Sequence, residues 1–375
     1  FTVTLPLSPS AGDVIGVSDY AKTFDTNNLT LGRNGSNIGG QAVDSTITTE
    51  GIAVTLVYVD ATKGWIVTDS GLQSDAPVPT YVAATGGCIT TCGNFKMHTF
   101  IGPGTFCVSC AGNAAGSTTV DYLVVAGGGG GGFERAGGGG AGGFRESSGA
   151  ASGCYTASPL GACVAALPVS ATPYAITVGG GGAIAPARGT PAPNGTNSIF
   201  SIVTSTGGGG GGSHPTPAQS GSPGGSGGGT IHGCTCSPAG GTGNTPPVSP
   251  PQGNNGGVAT APEGAGYYVA SGGGGATAVG GPSSGCSVTG VGGAGATSSI
   301  NNTPTTRAGG GGGGSNSGPT SATGGSGGGG NGGYGANPST AGGCNTGGGG
   351  GGGPGPGTVG STGGSGIVII RYKYQ

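Results

Sequence analysis

The chain has 375 residues, with Lys+Arg 10, Asp+Glu 12 and a formal net charge of -2. So few charges, so nearly balanced, give no electrostatic basis for binding nucleic acid or an acidic membrane surface. No run of about 18 apolar residues exists that could insert into a bilayer. What stands out is glycine, at 100 residues, together with 26 prolines.

The glycine is unevenly placed. Only 16 of the 100 stand up to Val120, and beyond it nearly one residue in three is glycine. Between Ser147 and Ile370 the charged residues are Arg188, Glu263 and Arg307 alone. A disordered solvated tail is rich in charge, and this segment is not. The chain opens on Phe1 rather than Met, which reads as a processed or partial piece of something longer.

Residues 1–75 read as a small antiparallel β module. "FTVTLPL", "DVIGVSDY", "NLTLGRNG", "STITT", "AVTLVYVD" and "GWIVTD" are short runs of β-branched and aromatic residues separated by Gly, Asn, Asp and Pro. Asn34-Gly35 is a hairpin turn signal, and Trp65 is expected in the core. Pro, Ala and Gly then mark a linker at 76–86, and 87–375 form the second domain.

That domain opens with "NFKMHTFIGPGTFCVS", where Gly102-Pro103-Gly104 between two alternating runs predicts a hairpin. "VDYLVVA" and "PYAITVGG" add strands, the latter with Tyr174, Ile176 and Val178 on one face. "GIVIIRYKY" closes the chain with a strand buried on both sides at its start. Bracketing strands at about 94–126 and 366–374 are expected to pair and clamp the glycine runs between them. The fold class is therefore mostly β, with almost no α-helix.

A hydrophobic core cannot hold the glycine runs. Backbone hydrogen bonds can, if the runs adopt the extended helix of three residues per turn whose N–H and C=O groups point outwards. Without side chains such helices touch and bond to one another as polyglycine-II. The spacing of "GGSGGGGNGGYG", Gly324 to Gly335, suits that three-fold register, and no strict collagen repeat is present. The alternative is a flexible Gly/Ser linker.

Ten cysteines form an even set: Cys88, Cys92, Cys107, Cys110, Cys154, Cys163, Cys234, Cys236, Cys286 and Cys344. Disulfides in an oxidising location suit that pattern, with Cys154 and Cys163 closing a small loop. The spacing of Cys88, Cys92, Cys107 and Cys110 also fits a zinc ribbon, so cross-strand disulfides and a four-cysteine zinc site both stand as readings. Histidines 98, 214 and 232 are scattered, and glycine fingerprints match poly-glycine wherever it occurs. No acid, base or nucleophile cluster indicates an enzyme, and no cofactor is implied.

The opening "LPLSPSAGDVIGVSDYAKTFDTNNLTLGRNGSNIGG" with "AVTLVYVDATKGWIVTD" resembles a β module of bacteriophage tail fibres, particularly those of viruses of cyanobacteria and other aquatic bacteria. "FKMHTFIGPGTFCVS", "VDYLVVAGGGGGG", "YAITVGGGG", "NSIFSIVTSTGGGGGG" and "GSGIVIIRYKY" resemble the glycine-rich polyglycine-II domain that ends such fibres. The resemblance implies a homotrimer in the virion, outside the cell. It implies as partners other tail proteins and a bacterial surface glycan or outer-membrane protein, bound at the distal end without nucleic acid or membrane insertion. The ten cysteines depart from the fibre pattern.

Receptor contacts are then expected in loops projecting from the glycine body. Tyr267, Tyr268 and Tyr334 offer faces for stacking on sugars, His214, His232 and Arg307 offer polar contacts, and Asn301 and Asn302 offer paired hydrogen bonds. The competing role for the tyrosines is to seal the lattice ends. The competing function is a structural extracellular filament or matrix protein without a receptor site.

Overall fold

The computed structural model describes residues 1–72, 79–153, 155–215, 219–231, 238–259, 268–284, 288–316 and 321–375. The chain divides into two compact units, Phe1–Val78 and Pro79–Gln375. The described residues are mostly β, and their helical content is a single turn at Pro159–Gly161.

In the first unit, β1 (Thr2–Thr4), β2 (Val14–Ser18), β3 (Leu29–Gly32), β4 (Ser45–Ile47), β5 (Ile52–Asp60) and β6 (Gly64–Leu72) fall on the runs read from sequence. They form two sheets, β1-β3-β4 and β2-β5-β6. Pairing is antiparallel except between β1 and β3. The alternating apolar positions meet in one core of Leu5, Phe24, Leu29, Leu31, Val54, Leu56 and Trp65. Asn34 and Gly35 make a tight turn at φ 44° and 90°, closed by Ser36 N–H to Arg33 C=O. The strand that pairs back on β3 begins only at Ser45, so the turn opens a longer excursion rather than a two-residue hairpin.

The second unit begins inside the stretch expected as linker. β7 (Val82–Thr85) buries Val82 and Ala84 in an apolar core, although flanking prolines and glycines mask it in sequence. It is followed by β8 (Cys88–Cys92), β9 (Phe95–Phe100), β10 (Gly104–Ala111), β11 (Thr119–Val125), β12 (Phe144–Glu146), β13 (Leu167–Pro168) and β14 (Pro173–Thr177). Then come β15 (Ser198–Phe200), β16 (Val203–Ser205), β17 (Ala296–Ser298), β18 (Thr305–Arg307) and β19 (Ile367–Lys373). One sheet runs β16-β15-β14-β10-β7, another β12-β11-β19-β9-β8 with β13 on β11, and β17-β18 form a separate ribbon.

The expected hairpin across Gly102-Pro103-Gly104 does not form. β9 pairs with β8 and β19, whereas β10 pairs with β7 and β14, so the Gly-Pro-Gly turns a corner between sheets. The terminal strand does clamp the unit: β19 lies between β9 and β11. Its alternate residues serve two cores. Val368, Ile370 and Tyr372 pack with Phe106, Val124 and Phe200 on one side, and Ile367 and Ile369 with Leu123, Phe144 and Ile300 on the other.

Between these strands the glycine runs form a lattice of extended threads. Gly127 and Gly130 donate to Thr196 and Pro193, Gly128 and Gly131 to Gly364 and Ser361, and Gly129 and Gly132 to Gly140 and Gly137, at 2.8–3.1 Å. Each step of three in one thread meets a step of three in its neighbour, the signature of three residues per turn. The same thread accepts from Gly208 and Gly211, from Gly350 and Gly353, and from Gly182, and so is bonded on every side. Thread 309–314 repeats the pattern with partners at Gly327 and Gly330, Gly293 and Gly290, and Gly139 and Ala136.

These glycines are needed for space, not for left-handed backbone. A Cβ on Gly129 would lie 2.1 Å from the Gly209 carbonyl oxygen, and one on Gly311 2.1 Å from that of Gly350. Where a thread lacks a backbone neighbour, an amide side chain takes its place. Asn194 and Asn197 Oδ1, three residues apart, accept from Gly210 and Gly207 at 2.8 and 2.9 Å. The segment from Gly324 to Gly335 is not one thread, because left-handed Gly327 and Gly328 reverse it.

Among the described cysteines, Cys88, Cys92, Cys107, Cys110, Cys163 and Cys344 are free and exposed. The stapling expected of the first four does not occur: they are strung along consecutive ladders, opposite Thr99, Phe95, Thr85 and Ala83 respectively. No three of His, Cys, Asp and Glu gather as a metal site among the described residues. Cys154, Cys234, Cys236 and Cys286 lie outside the described residues.

Candidate functional site

Thread 127–132 leaves β11 and turns at Phe133, Glu134 and Arg135 before thread 136–141 returns to β12. Glu134 and Arg135 are both left-handed, at φ 61° and 53°. Side-chain-bearing residues rarely hold this conformation, which costs roughly 1–2 kcal/mol each. Neighbouring threads end against the same turn. Phe133 N–H donates to Ser213 Oγ at 2.8 Å, His214 N–H to the Phe133 carbonyl at 3.0 Å, and Glu134 N–H to the Thr358 carbonyl at 2.9 Å.

The two side chains leave the turn to different partners. Glu134, 2% exposed, receives Arg188 Nε at 2.9 Å and Nη2 at 3.4 Å, while His214 Nδ1 stands 3.6 Å from the same carboxylate. A forked guanidinium on a buried carboxylate is a strong, oriented pair. Arg188 remains 58% exposed. Arg135 lies 3.9 Å over the Tyr268 ring, an attraction of about 0.5–2 kcal/mol. Tyr268 in turn exchanges bonds of 3.3 Å with Asn316 through Asn316 N–H to Tyr268 C=O and Tyr268 N–H to Asn316 Oδ1. Ser315 leads on to Tyr334, whose main chain closes on Asn337 at 3.0 and 2.8 Å.

This end of the lattice thus gathers His214, Tyr268 and Tyr334 of the residues expected from sequence. It adds Glu134, Arg135 and Arg188, which the sequence reading did not select. The signal for them was available: an acid–base dipeptide stranded between glycine runs has no core to join and no reason to sit in the lattice. His232 and Tyr267 lie outside the described residues.

The other three expected residues stand at the opposite end, beside the sheets, and are engaged internally. Arg307 is buried, within electrostatic reach of Glu146. Burial pushes the Glu146 carboxyl above its ordinary range, against bonds from Ser158 and Ser298 and the charge of Arg307. Asn302 accepts from Arg371 Nη1 at 2.5 Å and donates to Met97 sulfur at 3.2 Å. Asn301 meets Thr305 across the β17–β18 loop. Arg307 therefore offers no surface contact. A cleft of about 660 Å³ opens on this side, walled by Ser148, Thr156, Pro159, Thr297, Ser299 and Pro304, with no charged side chain in its lining.

No helix among the described residues is long and apolar enough to cross a membrane. No curated protein matches the sequence. Residues 102–373, most of the second unit and well over half of the chain, match the glycine-rich domain family. With its threads, clamping strands and end loops in place, the chain belongs to the glycine-rich domain family.

Proposed function

We propose that the chain is an adhesin, the receptor-binding part of a viral tail fibre, which attaches without covalent chemistry to a glycan or outer-membrane protein on a bacterial surface. One observation carries this reading. The lattice interior is nearly all glycine and the few side chains within it, such as Ser271, are buried and bonded there, whereas the turn at Phe133–Arg135 draws charged, histidine and aromatic side chains from distant threads onto one end. Exposed Arg188 and the partly exposed rings of His214, Tyr268 and Tyr334 there suit a polar, hydroxyl-rich or anionic receptor surface. One face of Tyr268 is already covered by Arg135, so sugar stacking falls to its other face or to Tyr334.

The test is competition. Purified protein is expected to bind host cells and to reduce virus adsorption, and the combined Arg188→Ala and Tyr268→Ala variant is expected to lose at least tenfold in cell binding with unchanged circular dichroism. Protein that neither binds cells nor competes would favour the structural filament instead.

A further inference from the structure

β8 is the outer strand of its sheet, and the sequence Cys88-Ile-Thr-Thr-Cys92 is exposed along its whole length. Its pairing with β9 is regular, without a bulge. It carries no charge and no proline, and Ile89 is 44% exposed. Edge strands are ordinarily protected by Lys, Pro, a bulge or a covering loop, because their unpaired N–H and C=O groups invite another strand. β8 has none of these sequence protections.

The position of its two cysteines says which strand fits. Cys92 and Phe95 flank the two-residue turn Gly93-Asn94, with Gly93 at φ 54°. In a two-residue hairpin the flanking residues form the hydrogen-bonded pair. Cys92, Thr90 and Cys88 therefore direct their main-chain groups towards β9, and Ile89 and Thr91 direct theirs to the open edge. A second β8 laid antiparallel about a two-fold axis at Thr90 pairs Ile89 with Thr91 through those groups. The same register sets Cys88 opposite Cys92 of the second copy, twice over, at non-hydrogen-bonded positions. There the Cα atoms approach to about 4.5 Å, inside the 4.4–6.8 Å range of disulfides.

We infer that β8 is a self-pairing edge that joins two copies of this chain through two Cys88–Cys92 disulfides. Five residues of strand pairing bury too little surface to hold a dimer alone, and the covalent bonds supply what the area does not. The oxidant is a low-molecular-weight disulfide. Cys88 thiolate attacks glutathione disulfide and releases one glutathione thiolate, and Cys92 of the second copy displaces the other. Each bond formed oxidises two protein thiols and reduces one glutathione disulfide to two glutathiones. This two-fold contact is separate from the three-fold association implied by the fibre resemblance, and it stands whether or not the chain is an adhesin.

The experiment equilibrates the full chain in a glutathione disulfide/glutathione buffer, alkylates free thiols and resolves it on a non-reducing gel. The wild type is expected to double from 34.3 kDa. Cys88→Ser and Cys92→Ser are each expected to stay monomeric, and an equal mixture of the two to recover the dimer through one Cys92–Cys88 bond. Thr91→Pro, which removes an N–H only from the open edge, is expected to abolish the dimer with the circular dichroism spectrum retained. A monomeric wild type, a single serine variant that dimerises like wild type, or a mixture that fails to recover would each overturn the inference. Light scattering under reducing conditions reads any three-fold association independently.

Discussion

Asp19 shows how far one side chain can order a unit this small. Its buried carboxylate accepts from Thr23, Phe24 and Gly51 N–H at 2.9–3.0 Å. Burial acts to raise its pKa, but the main-chain bonds of Phe24, Thr23, Gly51 and Lys22 outweigh burial, and the net direction is down from 3.8. A folded-state pKa below the unfolded value adds stability that is present above about pH 4 and is lost as pH falls through the depressed value. Asp19→Asn is expected to lower Tm at pH 7 and to flatten the acid limb of a Tm–pH profile of the first unit's unfolding. A variant that keeps the wild-type acid limb would assign that limb to other groups. Glu146 has the opposite sign: its pKa is raised by burial, so its contribution is fullest below about pH 4.5 and declines as pH rises through the raised value. When ionised it acts on Arg307, whose own pKa is lowered by burial and raised in part by the Glu146 charge. Glu146→Gln removes the acidic charge that partly offsets burial of that guanidinium and is expected to lower stability. Adding Arg307→Met should restore most of the loss, which denaturant titration of the single and double variants will read. Sequence gave no sight of this pair, because Arg307 looked like a solitary charge in a polar loop while its partner sat in a strand far away along the chain.

At the scale of elements, legibility followed the local pattern. The strands of the first unit lie where β-branched runs and turn residues put them, and β19 was marked by an apolar run on both faces. The failures came where tertiary pairing overrode a local signal. Gly102-Pro103-Gly104 has hairpin chemistry, yet β7 and β8 already occupy the edges that a β9–β10 hairpin would need. β7 itself was hidden because Ala83 and Ala84 carry little β signal, although their pairing with β10 is what places them. The lattice is the element most open to test. Each residue of thread 127–132 gains a main-chain bond worth about 1 kcal/mol net, of the same order as the backbone entropy it gives up. Stability therefore depends on every thread staying in contact. Gly129→Ala inserts a methyl group where only 2.1 Å separates it from a carbonyl oxygen and is expected to cost more than about 3 kcal/mol, beyond usual overpacking. Gly102→Ala, with nothing within 4 Å, is expected to stay within about 0.5 kcal/mol of wild type. Urea unfolding of both variants decides it, and equal midpoints would mean the threads are not close-packed.

At the largest scale, the lattice of the second unit converts a sequence with almost no periodic hydrophobic signal into a close-packed body. One end meets the sheets, and at the other the turn at Glu134-Arg135 gathers charged, histidine and aromatic side chains. Extended threads were foreseeable from glycine content, but the spacing taken for their three-fold register, Gly324 to Gly335, belongs to a segment that reverses at Gly327 and Gly328. Which loops share an end was not foreseeable, since that depends on where each thread reverses, and this is why Asn301, Asn302 and Arg307 were grouped with residues that lie far from them. The turn at Glu134-Arg135 offers a test that separates binding from folding. Both residues are left-handed, a conformation glycine adopts without strain, so replacing both by glycine relieves backbone cost while deleting the two side chains that organise the end. Arg188, already 58% exposed, returns to water once Glu134 is gone and leaves no buried charge. The Glu134→Gly/Arg135→Gly protein is therefore expected to unfold at the wild-type urea midpoint or slightly above it. Its binding to host cells should fall at least tenfold because the Arg188 fork and the covered Tyr268 ring lose their positions. Retained binding with retained stability would move the contact surface away from this end, and the cleft beside Thr297 and Ser299 would become the face to probe next.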